Sequence, residues 1–123
     1  MSRIIKNPNR MYERDIKKMI LHYLHFRGIY SWNNRNVGLY DPRSGKFIPA
    51  VMKGIPDILG YFGSKWKNLA GHFLCIEVKA KGGRVSPQQH HFIDEAKANH
   101  CITIIAYSVD DVEKVLDELE KNG

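Results

Sequence analysis

Apolar residues recur along this chain with two periods, and the change of period divides it into elements. In "MYERDIKKMILHYLHFRG" (11–28), Ile16, Ile20, Tyr23 and Leu24 share one face at helical spacing and Gly28 follows as a stop signal. The pattern predicts a helix of about five turns. "IYSWNNRNVGLYDPRSGKFIPAVMKG" (29–54) mixes β-forming residues with two turn signals, the cluster at 41–45 and Gly54, and predicts strands joined by a hairpin. "DILGYFG" (57–63) and "HFLCIEVKA" (72–80) are short β-rich runs on either side of the polar loop "SKWKNLAG". "SPQQHHFIDEAKAN" (86–99) has a complete helix start: Ser86 as N-cap, Pro87 at the first position and Gln89 at the third, with Asn99 as a left-handed C-cap. "CITIIAYS" (101–108) reads as a strand buried on both faces, and "VDDVEKVLDELEKNG" (109–123) as an amphipathic helix whose Val112, Val115, Leu116 and Leu119 stripe joins the core.

The order is helix, several strands, helix, strand, helix, without repeats or long linkers, and the economical architecture is a single domain with a mixed sheet flanked by helices. The crossover through the second helix makes "CITIIAYS" parallel to the strand that carries Glu77. Alternation then places Phe73, Cys75, Glu77 and Lys79 on one face of that strand and Leu74, Ile76, Val78 and Ala80 on the other. An antiparallel pairing that sets Gly63 near Gly71 brings Asp57 opposite Glu77, so two carboxylates and an ammonium converge. Opposed like charges destabilise a sheet by up to about 1 kcal/mol. A cation should offset them, Lys79 in part and a divalent metal with hard oxygen ligands, Mg²⁺ or Mn²⁺, more fully.

Glu13 falls on the inward stripe of the first helix with Ile16, Ile20 and Leu24, where an acid is costly without a partner. It is therefore a capping residue, a salt-bridge partner or a member of the same centre. Gln89 lies three residues before Phe92 on the inward face of its helix, as a capping-box residue or a ligand. A lone Glu-x-Lys is most often a solvated salt bridge worth about 0 to 1 kcal/mol, so the ordered set carries the argument and no single residue does.

Charge narrows the partner. Nineteen Lys and Arg against thirteen Asp and Glu give a net +6, which favours a polyanion. No apolar run approaches the roughly 18 residues of a membrane span, and the first residues lack the apolar core of a secretion signal, so the expectation is a soluble, cytoplasmic protein. Cys75 and Cys101 read as small packed hydrophobes, and the pairs His22/His25 and His90/His91 as surface or partly packed histidines.

The set "GIPD" at 54–57 followed by "IEVKAKGGRVSPQQ" at 76–89 resembles the PD-(D/E)xK nuclease superfamily, and within it the VRR-NUC family. Pro56 and Asp57 correspond to the PD, Glu77 and Lys79 to the ExK, Ser86, Pro87 and Gln89 to the family's Ser-Pro-x-Gln, and Glu13 to the acid of its first helix. A restriction-endonuclease-like α/β fold is what the resemblance implies, with metal-dependent hydrolysis of DNA phosphodiesters. Asp57, Glu77 and the Val78 backbone carbonyl would hold Mg²⁺ or Mn²⁺, with Glu13 acting directly or through water. Lys79 would orient the attacking water or neutralise developing charge, and Gln89 would position Lys79 or the nucleophile.

Substrate contacts are expected from Arg35, Arg43, Lys46, Lys53, Lys65, Lys81 and Arg84, which would bind phosphates and nucleic-acid shape. Stand-alone members of the family resemble four-way junction resolvases and form homodimers. The resemblance thus implies a structure-selective endonuclease on branched DNA in recombination or repair, phage or bacterial. The alternative is a non-catalytic nucleic-acid-binding module with a degenerate nuclease fold, in which the acids are structural.

Overall fold

The computed structural model describes residues 12–35, 38–49 and 52–122 of the 123. Helix α1 spans Glu13–Phe26 and strand β1 Ile29–Asn33; β2 (Leu39–Asp41) and β3 (Lys46–Ile48) form a separate hairpin; β4 is Ile58–Phe62 and β5 Phe73–Val78. Helix α2 (Pro87–Ala98) leads to β6 (Ile102–Ala106), and α3 (Val109–Asn122) closes the described chain. The expected start of α1 at Met11 lies outside the described residues. Within them α1 is about four turns long, not five, because it begins after the extended Tyr12.

Four strands form a mixed sheet in the order β1-β4-β5-β6, antiparallel except for β5 and β6, which run parallel as the crossover requires. The register between β4 and β5 pairs Ile58 with Ile76 and Tyr61 with Phe73, and it continues through Phe62 and His72. The anticipated pairing of Asp57 with Glu77 follows from extending that register by one residue.

One face of the sheet carries the main core. Leu74, Ile76 and Val78 of β5, with Ile58, Phe62, Ile104 and Ala106, pack against Ile16, Ile20 and Leu24 of α1 and Val112 and Leu116 of α3. Arg27 fastens the far end: it pairs with Asp117 and Glu120 of α3 at 3.1 Å each and stacks on Tyr23 and Trp66. Helix α2 lies over the opposite face through Ile93 and Ala96, beside Phe73 and Cys75. Strand β5 is consequently buried on both sides from Leu74 to Val78. Strand β6 was expected to be so too, yet it is an edge strand, and Ile102, Thr103 and Ile105 are only half-buried.

The end of α2 also departs from expectation. Asn99 keeps a right-handed backbone (φ −98°) and its side chain donates to the Glu95 carbonyl, so the left-handed turn moves one residue on, to His100 (φ 66°). A non-glycine residue in that region carries backbone strain that glycine avoids. His100→Gly is therefore expected to stabilise the fold by up to about 1 kcal/mol, read as a higher denaturation midpoint with an unchanged slope.

Candidate active site

The site forms where β4 begins and β5 ends. Glu77 is 1% exposed, a carboxylate buried at the end of an apolar strand. Its two oxygens accept from one group, the Nε2 of Gln89, at 2.9 and 3.2 Å. That amide cannot be turned round. Gln89 Oε1 accepts from the Ser86 backbone N–H at 2.8 Å while the Gln89 N–H donates to Ser86 Oγ, which completes the capping box. The N-terminus of α2 therefore fixes the Gln89 side chain with its donor end on Glu77, so the residue that completes the capping box also contacts the buried glutamate.

Gly54 makes this approach possible. Its φ is +78°, and a Cβ there would stand 2.4 Å from the Gln88 carbonyl oxygen and 2.9 Å from the Gln89 nitrogen. Only glycine lets the "GIPD" segment run this close to the start of α2.

Asp57 is held by backbone. Its Oδ2 accepts from the Val78 N–H at 2.9 Å, and its own carbonyl accepts from Asn34 N–H at 2.7 Å. Extending the register to the next pair places Pro56 opposite Val78. Proline has no N–H, so the ladder donor that would cover the Val78 carbonyl does not exist there. Asp57 fills the donor side of Val78 while Pro56 leaves its acceptor side open, which suits the carbonyl to a cation.

Burial raises the Glu77 carboxyl from its ordinary value to about 8; the negative charge of Asp57 and a hydrogen bond with it push the same way, Lys79 opposes, and Glu13 adds a smaller upward push. Glu13 and Lys79 are half-buried, and Lys79 lies along the turn at Gly83. The five residues named from the sequence, Glu13, Asp57, Glu77, Lys79 and Gln89, thus meet at one end of the sheet. Among the described residues no three acidic, His or Cys side chains close to ligand spacing. The centre offers two carboxylates and a carbonyl, with Glu13 beyond them. Hard oxygen donors of this kind fit Mg²⁺ or Mn²⁺.

Three residues were missed. Lys17 Nζ stands 3.9 Å from Asp57 Oδ1; it lies one turn after Glu13, so helical spacing could have found it. Asn34 shares the sheet row of Asp57 and Glu77, and its Nδ2 is buried without a partner among the described residues. Tyr107 donates through its hydroxyl to the Gly83 carbonyl at 3.0 Å and steadies the turn after Lys79. Of the expected phosphate contacts, Arg35, Lys81 and Arg84 are exposed close in sequence to Asn34, Lys79 and Ser86, Lys53 is exposed beside Phe73 and His91, and Arg43 and Lys46 are exposed on the hairpin. Lys65 does not belong with them: it follows β4 at the other end of the sheet, beside Gly28 and Trp66. His22, His25, His90 and His91 are exposed, and Cys75 is packed so tightly that burial pushes its thiol up to about 12.

The VRR-NUC domain model matches residues 45–110, and a solved structure described as a "VRR_NUC domain protein" superposes with a TM-score of 0.57 over 94% of this chain and 93% of that one, at 19% identity. No curated protein sequence matches. The match spans the segment from the hairpin to the start of α3 and includes Asp57, Glu77, Lys79 and Gln89. Fold and family together define a nuclease domain with DNA as its substrate class. The chain belongs to the VRR-NUC family. No helix among the described residues is long and apolar enough to cross a membrane.

Because the folded state holds a proton on Glu77 well above the unfolded value of about 4.5, the stabilisation it brings is complete below that pH and is lost as pH rises through about 8. In EDTA, the melting temperature is expected to fall between pH 5 and pH 8.5. Glu77→Gln should flatten that slope, whereas an equal slope in the variant would assign it to other groups.

Proposed function

We propose that the protein is a metal-dependent DNA endonuclease that hydrolyses phosphodiester bonds. The observation that carries this reading is the buried Glu77 carboxylate, packed against a second carboxylate and held by Gln89 in a chain of net charge +6. Such a pair costs stability in the absence of a cation and has no evident structural use. Asp57, Glu77 and the Val78 carbonyl would hold Mg²⁺ or Mn²⁺, with Glu13 reaching it through water. When bound, the cation supplies an activated water and a Lewis-acid contact to the phosphate.

The remaining work falls to the chain itself. Gln89 fixes both oxygens of Glu77, and the Val78 N–H and Lys17 fix Asp57. Lys79 brings an ammonium to the same end, where it orients the attacking water or offsets charge developing on the phosphate. Arg35, Lys53, Lys81 and Arg84 would receive the flanking phosphates, and Arg43 and Lys46 extend the basic surface onto the hairpin.

The finer reading is a structure-selective enzyme of the four-way junction resolvase kind, a homodimer acting in recombination or repair within a bacterial cell, including as a phage product. The hairpin supports self-association. Two isolated strands are marginal alone, and Leu39, Tyr40, Phe47 and Ile48 are all exposed on it. A second copy covering them would set two centres in the symmetry that paired cuts require.

Linear duplex, flap and four-way junction DNA incubated with Mg²⁺, Mn²⁺ or EDTA test the activity. Cleavage is expected with either metal, fastest on the junction. Asp57→Ala and Glu77→Ala should abolish cutting while binding survives, and Lys79→Ala should slow it by about 10²- to 10³-fold. Cutting that persists in EDTA, or that proceeds at the wild-type rate in Lys79→Ala, contradicts the mechanism. For the dimer, light scattering of a Leu39→Ser/Phe47→Ser variant should give the monomer mass where the wild type gives twice it. An unchanged dimer would move the interface elsewhere.

A further inference from the structure

Helix α2 covers only part of its face of the sheet. The registers arrange the rest in rows that run across the strands: Tyr30, Tyr61 and Phe73 form one, and Trp32, Leu59 and Cys75 the next. Asn34, Asp57 and Glu77 form the third, because Asn34 bonds Asp57 and the same registers continue. Successive rows on one face are about 7 Å apart. An aromatic surface therefore leads directly to the carboxylates, on their own side of the sheet.

These side chains are open to solvent where a core would bury them. Tyr30 is 61% exposed, Trp32 46%, Tyr61 43% and Phe73 37%. The Tyr30 and Tyr61 rings already stack, with centroids 5.2 Å apart and planes 20° from parallel. Exposed Arg35 follows the third row, and Lys53 stands with Phe73 and His91 around a cavity of about 380 Å³. Aromatic platforms rimmed by cations bind single strands without regard to sequence, since every base has a π-face.

We infer that the face built by Tyr30, Trp32, Tyr61 and Phe73 is a stacking track for unpaired nucleobases of the substrate, leading a single strand to the Asp57–Glu77 centre. The direction of the strand rests on the nuclease reading; the stacking does not. A second copy of the chain seated on the same face would lie across the third row and shut substrate out of the centre, which argues against that occupant.

The test measures binding in EDTA, with no cleavage needed. Fluorescence anisotropy of labelled dT12 and of a blunt 12-base-pair duplex would be compared for wild type, Trp32→Ala, Tyr30→Ala and Trp32→Phe, with melting curves confirming that each variant is folded. The alanine variants are expected to bind dT12 at least about fivefold more weakly and the duplex within about twofold of wild type, with Trp32→Phe restoring most of the loss. In Trp66→Phe protein, where Trp32 is the remaining tryptophan, dT12 should quench its fluorescence and protect it from acrylamide. Equal losses for both DNAs, no loss for either, or Trp32 left accessible at saturating dT12 would overturn the inference. So would alanine variants that become monomeric with dT12 affinity intact, an outcome that assigns the face to self-association. Trp32-dependent binding by a protein that cuts nothing would defeat the nuclease reading alone, and intact cutting with Trp32-independent binding would defeat this inference alone.

Discussion

A glutamate buried at the end of a strand covered on both faces is the constraint to which the surrounding structure answers. Glu77 cannot reach water, so its oxygens need donors, and the first turn of α2 supplies one through Gln89. Ser86 and Gln89 fix that turn through the capping box, and Gly54 allows the preceding segment to pass beneath it. Pro56 and Asp57 then meet the other edge of β5, one withholding a donor from the Val78 carbonyl and the other accepting the Val78 N–H. Remove the buried carboxylate and the close passage at Gly54, the amide orientation of Gln89 and the proline opposite Val78 lose their common reason.

The same constraint separates the two faces of the sheet. The face beneath α1 and α3 is filled with branched aliphatic side chains and provides cohesion. The face that bears Glu77 is covered by α2 over β5 and β6 alone, and the open remainder is aromatic. Chemistry needs access and a buried charge needs enclosure; the boundary of α2 lets both conditions hold within one sheet row.

Much of this was legible in the sequence. The pairing of Asp57 with Glu77 could be read because two glycines, Gly63 and Gly71, bound the loop and so set the register. The capping box was legible because it is local. What the sequence withheld was either long-range or decided by single hydrogen bonds. Lys17 meets Asp57 across 40 positions, and Asn34 enters the row only through the β1–β4 pairing. The left-handed residue moved from Asn99 to His100 because the Asn99 side chain bonds the Glu95 carbonyl, a choice that helix propensity does not reveal. Strand periodicity showed which residues share a face but not how far a helix would cover it, so the aromatic rows and the half-open edge of β6 went unseen.

The central claim is that Asp57 and Glu77 are repelling partners kept together for a cation. Thermal unfolding of wild type and of the isosteric Asp57→Asn/Glu77→Gln variant, each with and without Mn²⁺ at pH 8.5, tests it most directly. The account predicts that the variant melts higher than wild type in EDTA, since the repulsion is gone, and that Mn²⁺ raises the melting temperature of the wild type alone. A wild type indifferent to Mn²⁺, or a variant stabilised by it equally, would contradict the account.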